Sequence, residues 1–126
     1  MGDKPLESFL KETLPLWRRQ IKESEMPIRI EMKNDYAVYY ITEEININSS
    51  PKIKKAILKL ISKKSPKITI DFSEVAYIDS SGISMLIEIF KAMELYGGAL
   101  QLANLSPRLK NIFEIKKLNK LFTIVP

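Results

Sequence analysis

The chain has 126 residues, of which 45% are hydrophobic and 28% charged, and its formal net charge is +5 at pH 7. This length and composition predict one globular domain with a single core rather than a disordered chain. The sequence contains neither cysteine nor histidine, which excludes disulfides, thiolate nucleophiles, imidazole bases and Cys/His metal sites.

The sequence also limits where the protein is located and what it can bind. No run approaches the roughly 18–20 apolar residues of a membrane helix, and the N-terminus lacks a signal-peptide pattern. We therefore expect a cytoplasmic protein that does not insert into membranes. The basic residues are mostly lysine and are spread along the chain, which favours a solvated surface, or docking of an acidic protein, over nucleic-acid binding. Without EF-hand or P-loop spacing, we expect no metal and no cofactor.

Residues 1–27 form a distinct segment. Its acidic and basic residues cancel, and its apolar residues recur at helical spacing: Leu6, Phe9, Leu10, Leu14, Trp17 and Ile21. Pro15 predicts a kink or two short helices, and Pro27 marks the end. We interpret the segment as an amphipathic helical extension packed on the domain; an oligomerisation or docking helix is the alternative. A membrane-surface helix is disfavoured because the polar face is not net basic.

Residues 28–126 alternate between strand and helix patterns. Period-two alternation and apolar runs predict five strands: 28–32, 36–42, 67–72, 99–103 and 121–125. Apolar stripes of period 3.6 predict helices that open at Pro51, with Ser49 and Ser50 as N-cap candidates, near Ser80 and at Pro107. A first hairpin followed by strand–helix–strand crossings implies parallel pairing. The sequence therefore predicts an α/β domain: a mixed sheet of four to five strands with helices mainly on one face.

The most informative stretch runs from Asp71 to Ile83. A strand ends there, a short loop follows, and a helix starts near Ser80 and Ser81. The first N–H groups of that helix lack internal partners and carry partial positive charge, so its dipole would stabilise a phosphate on Ser80 while Asp79 would repel it. Taken alone, Asp-Ser-Ser-Gly is also ordinary helix-capping material, with Gly82 permitting close packing.

The segment Asp71 to Gly82 resembles the STAS family, named for sulfate transporters and anti-sigma-factor antagonists, in which a strand, a Ser-containing "Asp-Ser-Ser/Thr-Gly" loop and a helix follow one another. Further segments are similar to that family in the same order: residues 41–46, 97–102, 106–113 and 118–124. The resemblance covers residues 28–126 and implies a STAS domain there, with 1–27 as an extension.

The resemblance implies a non-enzymatic anti-anti-sigma factor. In such members the serine after the Asp, here Ser80, is phosphorylated by an anti-sigma factor that is also a serine kinase. The unphosphorylated protein binds that kinase, the phosphorylated protein releases it, and a phosphatase resets the site. Ser81 would be the helix-capping residue. The partner surface would comprise the phosphorylation loop and a neighbouring loop: Asp79, Ser81, Gly82, Ile83, Glu44 and Asn46.

Two residues differ from the family pattern. Asn46 stands where the family usually has Asp, and Glu43 where it usually has Gly; a positive φ at Glu43 would bring strain. Alternatives are therefore kept: a STAS subunit of a membrane transport system that is not phosphorylated, or a scaffold of a large signalling assembly. Self-association through the N-terminal helix stays open, as does a small-molecule ligand near the Ser80 loop.

Two other clusters have simpler interpretations. Asp71, Glu74 and Asp79 would need convergent geometry to act as a carboxylate centre, and we interpret them as strand-end and capping acids. Tyr36, Tyr39 and Tyr40 could stack on bases, but consecutive tyrosines in a strand favour packing within the sheet.

Overall fold

The described part of the chain contains five β-strands, three longer α-helices and two short helical turns. The computed structural model describes residues 14–22, 29–33 and 35–126. The strands are β1 (Ile30–Met32), β2 (Ala37–Tyr40), β3 (Lys67–Asp71), β4 (Ala99–Ala103) and β5 (Thr123–Val125). The helices are α1 (Leu16–Arg19), α2 (Ser50–Ser62), α3 (Ser80–Glu94) and α4 (Pro107–Ile115), with a 3-10 helix at Leu118–Lys120.

The strands form one mixed sheet in the order β1-β2-β3-β4-β5. β1 and β2 form an antiparallel hairpin, and every later neighbour pairs in parallel. Since each parallel crossing contains one helix and adds the next strand on the same side, right-handed connections place α2, α3 and α4 on one face. The predicted α/β fold with a mixed sheet is confirmed.

The core lies between that sheet face and the helices. Alternate strand residues face it, because successive side chains of a strand point to opposite sides. From the strands come Ala37, Tyr39, Ile68, Ile70, Leu100 and Leu102; from the helices come Ile53, Ile57, Leu60, Met85, Leu86, Ile89, Met93, Leu109 and Phe113. Phe122 joins α3 to α4, since its ring makes edge contacts with Phe90 and Phe113 at centroid distances of 5.8 and 6.1 Å.

The two glycines after α3 determine how this helix ends. Gly97 has φ of +77°, a left-handed conformation that favours glycine. The chain then turns back so that the Gly98 amide donates to the Met93 carbonyl at 2.9 Å, which satisfies one of the helix's last carbonyls.

The N-terminal segment contributes to the core. α1 begins directly after Pro15, so the proline stands at a helix start, where its missing N–H costs nothing. Trp17 and Ile21 are each 9% exposed and belong to the core cluster. The predicted positions Leu6, Phe9 and Leu10 lie outside the described residues. The division into residues 1–27 and 28–126 stays a prediction.

Candidate functional site

The site lies where the parallel strands end. Tyr40, Asp71 and Ala103 pair in one row across β2, β3 and β4. The loops that follow these strands therefore meet at one edge of the sheet. A parallel bridge between Ile45 and Ile78 joins two of them, so residues 44–46 lie beside the start of α3.

Asp79 caps α3. Its Oδ1 accepts the Gly82 amide N–H at 3.0 Å and the Ser81 hydroxyl at 2.6 Å. The Ser81 hydroxyl and the Gly82 amide together lower the pKa of Asp79 below its ordinary value. The prediction that Ser81 is the capping residue was wrong: Asp79, one residue before the helix, accepts the Gly82 amide, and the Ser81 hydroxyl donates to Asp79 instead.

Ser80 is left free by this arrangement. It is the first residue of α3 and its side chain is exposed. Among the described residues its hydroxyl has no hydrogen-bond partner, whereas that of Ser81 is engaged by Asp79. The two adjacent serines therefore differ in chemistry: only the Ser80 oxygen faces solvent without a competing acceptor.

Gly82 and Ile83 place the start of α3 against the sheet edge. A Cβ on Gly82 would lie 2.5 Å from Ile45 Cγ2 and 2.5 Å from Ile78 Cγ1. Only glycine fits at that spacing without a shift of its neighbours. Ile83 is half-buried and packs against the core, so it presents only part of its side chain to the site surface.

Asn46 shapes the neighbouring loop. Its Oδ1 accepts the amides of Asn48 at 2.9 Å and Ser49 at 3.0 Å. The Ser49 hydroxyl donates to the Glu44 carbonyl. Ser49 does occupy the N-cap position of α2 as predicted, but its side chain bonds this loop and not a helix amide. Glu44 is exposed beside it.

Glu43 does not have the positive φ that would strain its backbone. Non-glycine residues with positive φ in the described part of the chain are Lys64, Asn104 and Lys117, so Glu43 does not need the glycine conformation. Its carboxylate instead pairs with Arg29 at 2.9 Å. The hydrogen bond that Arg29 donates to Glu43 raises the pKa of Arg29.

Asp71 holds two of the loops together. Burial alone would raise its pKa, but hydrogen bonds from the Ser73 hydroxyl and amide and from the Asn104 side chain outweigh burial and lower it. The Asn104 amide nitrogen lies 2.7 Å from Asp71 Oδ2. Sequence reasoning missed Asn104, although an Asn after a strand, suited to its positive φ of 57°, was an available signal.

The carboxylates do not converge. Asp71 is buried, Asp79 is committed to the helix cap and Glu74 is exposed. No group of His, Cys, Asp or Glu among the described residues is placed to hold a metal ion. The tyrosines likewise differ, since Tyr39 is buried in the core while Tyr40 donates to Glu31 at 2.8 Å.

An open groove of about 430 Å³ runs between α2 and α3 next to the site. Ser81, Leu58 and Met85 line it, with Lys55 on its rim. The groove therefore extends the surface around Ser80 along the helices. No helix in the described part of the chain is long and apolar enough to span a membrane.

Comparison with known proteins agrees with this fold. The model of the STAS domain family matches residues 27–126. An anti-sigma-B factor antagonist of Listeria monocytogenes is 33% identical over 102 residues, which cover 79% of this chain and 90% of that protein. Among solved structures, an anti-sigma factor antagonist from Mycobacterium paratuberculosis has a TM-score of 0.69 and 22% identity, covering 77% of this chain and 82% of the other. The Bacillus cell fate determinant SpoIIAA in its phosphorylated form has a TM-score of 0.62 and 21% identity, covering 77% and 89%. The predicted resemblance is confirmed: the chain belongs to the STAS domain family.

Proposed function

We propose that this chain is an anti-sigma factor antagonist that switches partners through phosphorylation of Ser80. One observation carries the proposal: Ser80 presents a free, exposed hydroxyl at the first position of α3. The relative from Listeria monocytogenes that is 33% identical over 102 residues is an anti-sigma-B factor antagonist. In this proposal the protein binds and releases other proteins and catalyses no reaction itself.

Ser80, rather than Ser81, is the acceptor because of what each hydroxyl already does. Transfer of a phosphoryl group needs the serine oxygen to attack phosphorus and lose its proton. The Ser81 hydroxyl already donates a hydrogen bond to Asp79 Oδ1, with 2.6 Å between the two oxygens. The Ser81 side chain is also only half-exposed. The Ser80 oxygen can enter a kinase active site without breaking the helix cap.

Release follows from local charge. Phosphorylation adds about 1.5 to 2 negative charges to a surface that had presented a neutral hydroxyl. Asp79 and Glu44 already place carboxylates at this edge. A partner that complements this surface before phosphorylation loses affinity afterwards, and a coupling of about 1–3 kcal/mol changes binding by roughly 5- to 150-fold. No change of fold is required.

Asn46 fits this mechanism. Its Oδ1 makes the two loop hydrogen bonds that an aspartate could also make. The loop therefore keeps its shape with one negative charge fewer beside Ser80. Less repulsion toward a phosphate would favour the phosphorylated form, and the fixed loop keeps Glu44 and Asn46 on the partner surface.

The partners are an anti-sigma factor with serine-kinase activity and a phosphatase that hydrolyses the Ser80 phosphate. The decisive experiment isolates the protein from its native cells with its bound partners, adds Mg²⁺ and ATP, and maps phosphopeptides. The wild type and Ser81→Ala should gain one phosphate on Ser80, whereas Ser80→Ala should gain none. Ser80→Asp should retain less kinase than Ser80→Ala.

Other results would contradict the switch. Phosphate on Ser81 alone, or equal retention of the kinase by Ser80→Asp and Ser80→Ala, would exclude the charge mechanism. Unmodified Ser80 in a complex with transport proteins or in a large particle would favour the subunit or scaffold roles.

A further inference from the structure

The edge of the sheet opposite Ser80 is rich in lysine. The hairpin turn before β2 and the starts of β3, β4 and β5 all lie at this edge, because these strands pair in parallel. α2, α3 and α4 begin at the opposite edge, where β2, β3 and β4 end and Ser80 lies, which we call the Ser80 edge; they therefore end here. We call it the lysine edge and define it as residues 33–36, 63–67, 94–99 and 114–122, as far as the structure describes them.

Six lysines of this edge have no ion-pair partner among the described residues: Lys63, Lys64, Lys67, Lys116, Lys117 and Lys120. Lys33 is neutralised by Glu31, whose carboxylate it contacts at 2.5 Å. The carboxylates of the edge are Asp35, Glu94 and Glu114. These six lysines against three carboxylates leave the edge with a formal excess of three positive charges.

Three large apolar side chains among these lysines are exposed, and Leu95 and Ile115 are more exposed than Leu121. Leu95 is 90% exposed and Ile115 is 71% exposed. Both follow the last core contacts of their helices, and Phe122 joins those helix ends through Phe90 and Phe113. Leu95 and Ile115 therefore project at the same end of the domain.

Helix dipoles explain only part of this pattern. Lysines near helix C-termini are stabilised by the partial negative charge there. That accounts for basic residues at the ends of α2 and α4. It does not account for Leu95 and Ile115, which gain nothing from the dipole and leave apolar surface in water.

We propose that the lysine edge docks on an anionic lipid bilayer. Lysines near such a surface are attracted to the acidic headgroups, and exposed aliphatic side chains gain by leaving water among the acyl chains. Nucleic acid fits less well, because the edge has no arginine for bidentate contacts, and its tyrosines, Tyr36 and Tyr96, are half-buried. The contact is peripheral and needs no spanning helix.

Docking in this way leaves Ser80 accessible. Since the Ser80 loop lies at the other end of the strands, it faces away from the surface on which the lysine edge rests. A partner could then bind the Ser80 edge of a docked molecule. The lipid contact itself does not depend on the proposed switch.

The test is cosedimentation of the full chain with vesicles. Vesicles of phosphatidylglycerol mixed with phosphatidylcholine should bind the wild type, and pure phosphatidylcholine should not. Lys116→Glu/Lys120→Glu should weaken binding by at least about 20-fold, since each lysine contributes roughly a factor of five. Leu95→Ser/Ile115→Ser should weaken it by at least about tenfold.

The matched control is Lys52→Glu/Lys55→Glu, which makes the same charge change at two exposed positions on α2 near the Ser80 edge. It should bind like the wild type. Circular dichroism and thermal unfolding of each variant verify its fold. Equal loss in both charge-reversal pairs, binding to duplex DNA in place of vesicles, or no binding to anionic vesicles at low salt would each overturn the proposal.

Discussion

The Ser81 hydroxyl donates to the Asp79 carboxylate at 2.6 Å, and the Gly82 amide donates to the same oxygen at 3.0 Å. The carboxylate therefore stabilises the start of α3. Asp79→Ala should lower the urea midpoint of unfolding, while Asp79→Asn should change it little, because asparagine caps helices about as well. Glu74→Ala, at an exposed acidic residue of the same loop, is the control. Equal midpoints for Asp79→Ala and Glu74→Ala would contradict the assignment of the cap.

Asp71 should make stability depend on pH. Its pKa in the folded protein is lowered because hydrogen bonds from Ser73 and Asn104 outweigh burial. The stabilisation is therefore present above the unfolded pKa of about 3.9 and is lost as the pH falls through that value towards the lower folded pKa. Asp71→Asn should cost about 1–3 kcal/mol of unfolding free energy at pH 7.

Urea unfolding between pH 7 and pH 2 checks this. The gap between wild type and Asp71→Asn should shrink as the pH falls below about 4. A constant gap over the whole range would show that the Asp71 charge contributes nothing. Asn104→Ala should reproduce part of the loss at neutral pH, since it removes one donor to Asp71.

Gly82→Ala tests the close approach of α3 to the two loops. In an exposed helix interior this change stabilises by roughly 0.5–1 kcal/mol. Here the new Cβ would lie 2.5 Å from side-chain atoms of Ile45 and Ile78, so we expect a loss of about 1–3 kcal/mol. Ser84→Ala, at an exposed position of the same helix, should be neutral or slightly stabilising. Stabilisation by both changes would mean that the loops move aside freely.

Trp17 and Leu16 are neighbours with opposite environments, which makes them a matched pair. Trp17 is 9% exposed and belongs to the core cluster, whereas Leu16 is 63% exposed. Trp17→Ala should cost about 3 kcal/mol of unfolding free energy, and Leu16→Ala about 0.5 kcal/mol or less. Unfolding of both variants should be followed by circular dichroism rather than by tryptophan fluorescence, because Trp17 is the sole tryptophan and Trp17→Ala removes it. Equal small effects would show that α1 is not part of the cooperative fold.

Glu43 should stabilise the folded protein more than the glycine that the family pattern has at this position. Glu43 pairs with Arg29 at 2.9 Å, with both side chains about one-third exposed. Removing a partly exposed pair costs at most about 1 kcal/mol. Glu43→Gly should therefore destabilise slightly, and the loss from Glu43→Gln should shrink in high salt. A gain in stability on Glu43→Gly would reveal backbone strain at this position.

The strands and helices were predictable because their apolar residues repeat at the right periods. The parallel order followed from the helices between strands, and the Gly97 turn from its residue type. Contacts between distant loops carry no such local signal. The Ile45–Ile78 bridge and the Asn104–Asp71 bond depend on how the loops meet after the sheet has formed.

The cap was mispredicted for a related reason. Asp79 and Ser81 are both good capping residues, and only the backbone angles decide between them. Asp79 is extended, with ψ of −177°, so its side chain reaches the amide three residues on, while Ser81 lies inside the helix. Trp17 was predicted to lie on a helix, but the burial of its side chain could not be decided from spacing alone.

The parallel bridge between Ile45 and Ile78 has a consequence for the rate at which a partner binds. It fixes the two loops at the Ser80 edge before any partner arrives, and the Asn46 and Asp71 hydrogen bonds hold their conformations. A protein that binds this edge has no loop to order, so its association rate depends on encounter and orientation rather than on a slow rearrangement. A chemical change at this edge would then mainly alter the dissociation rate of each complex.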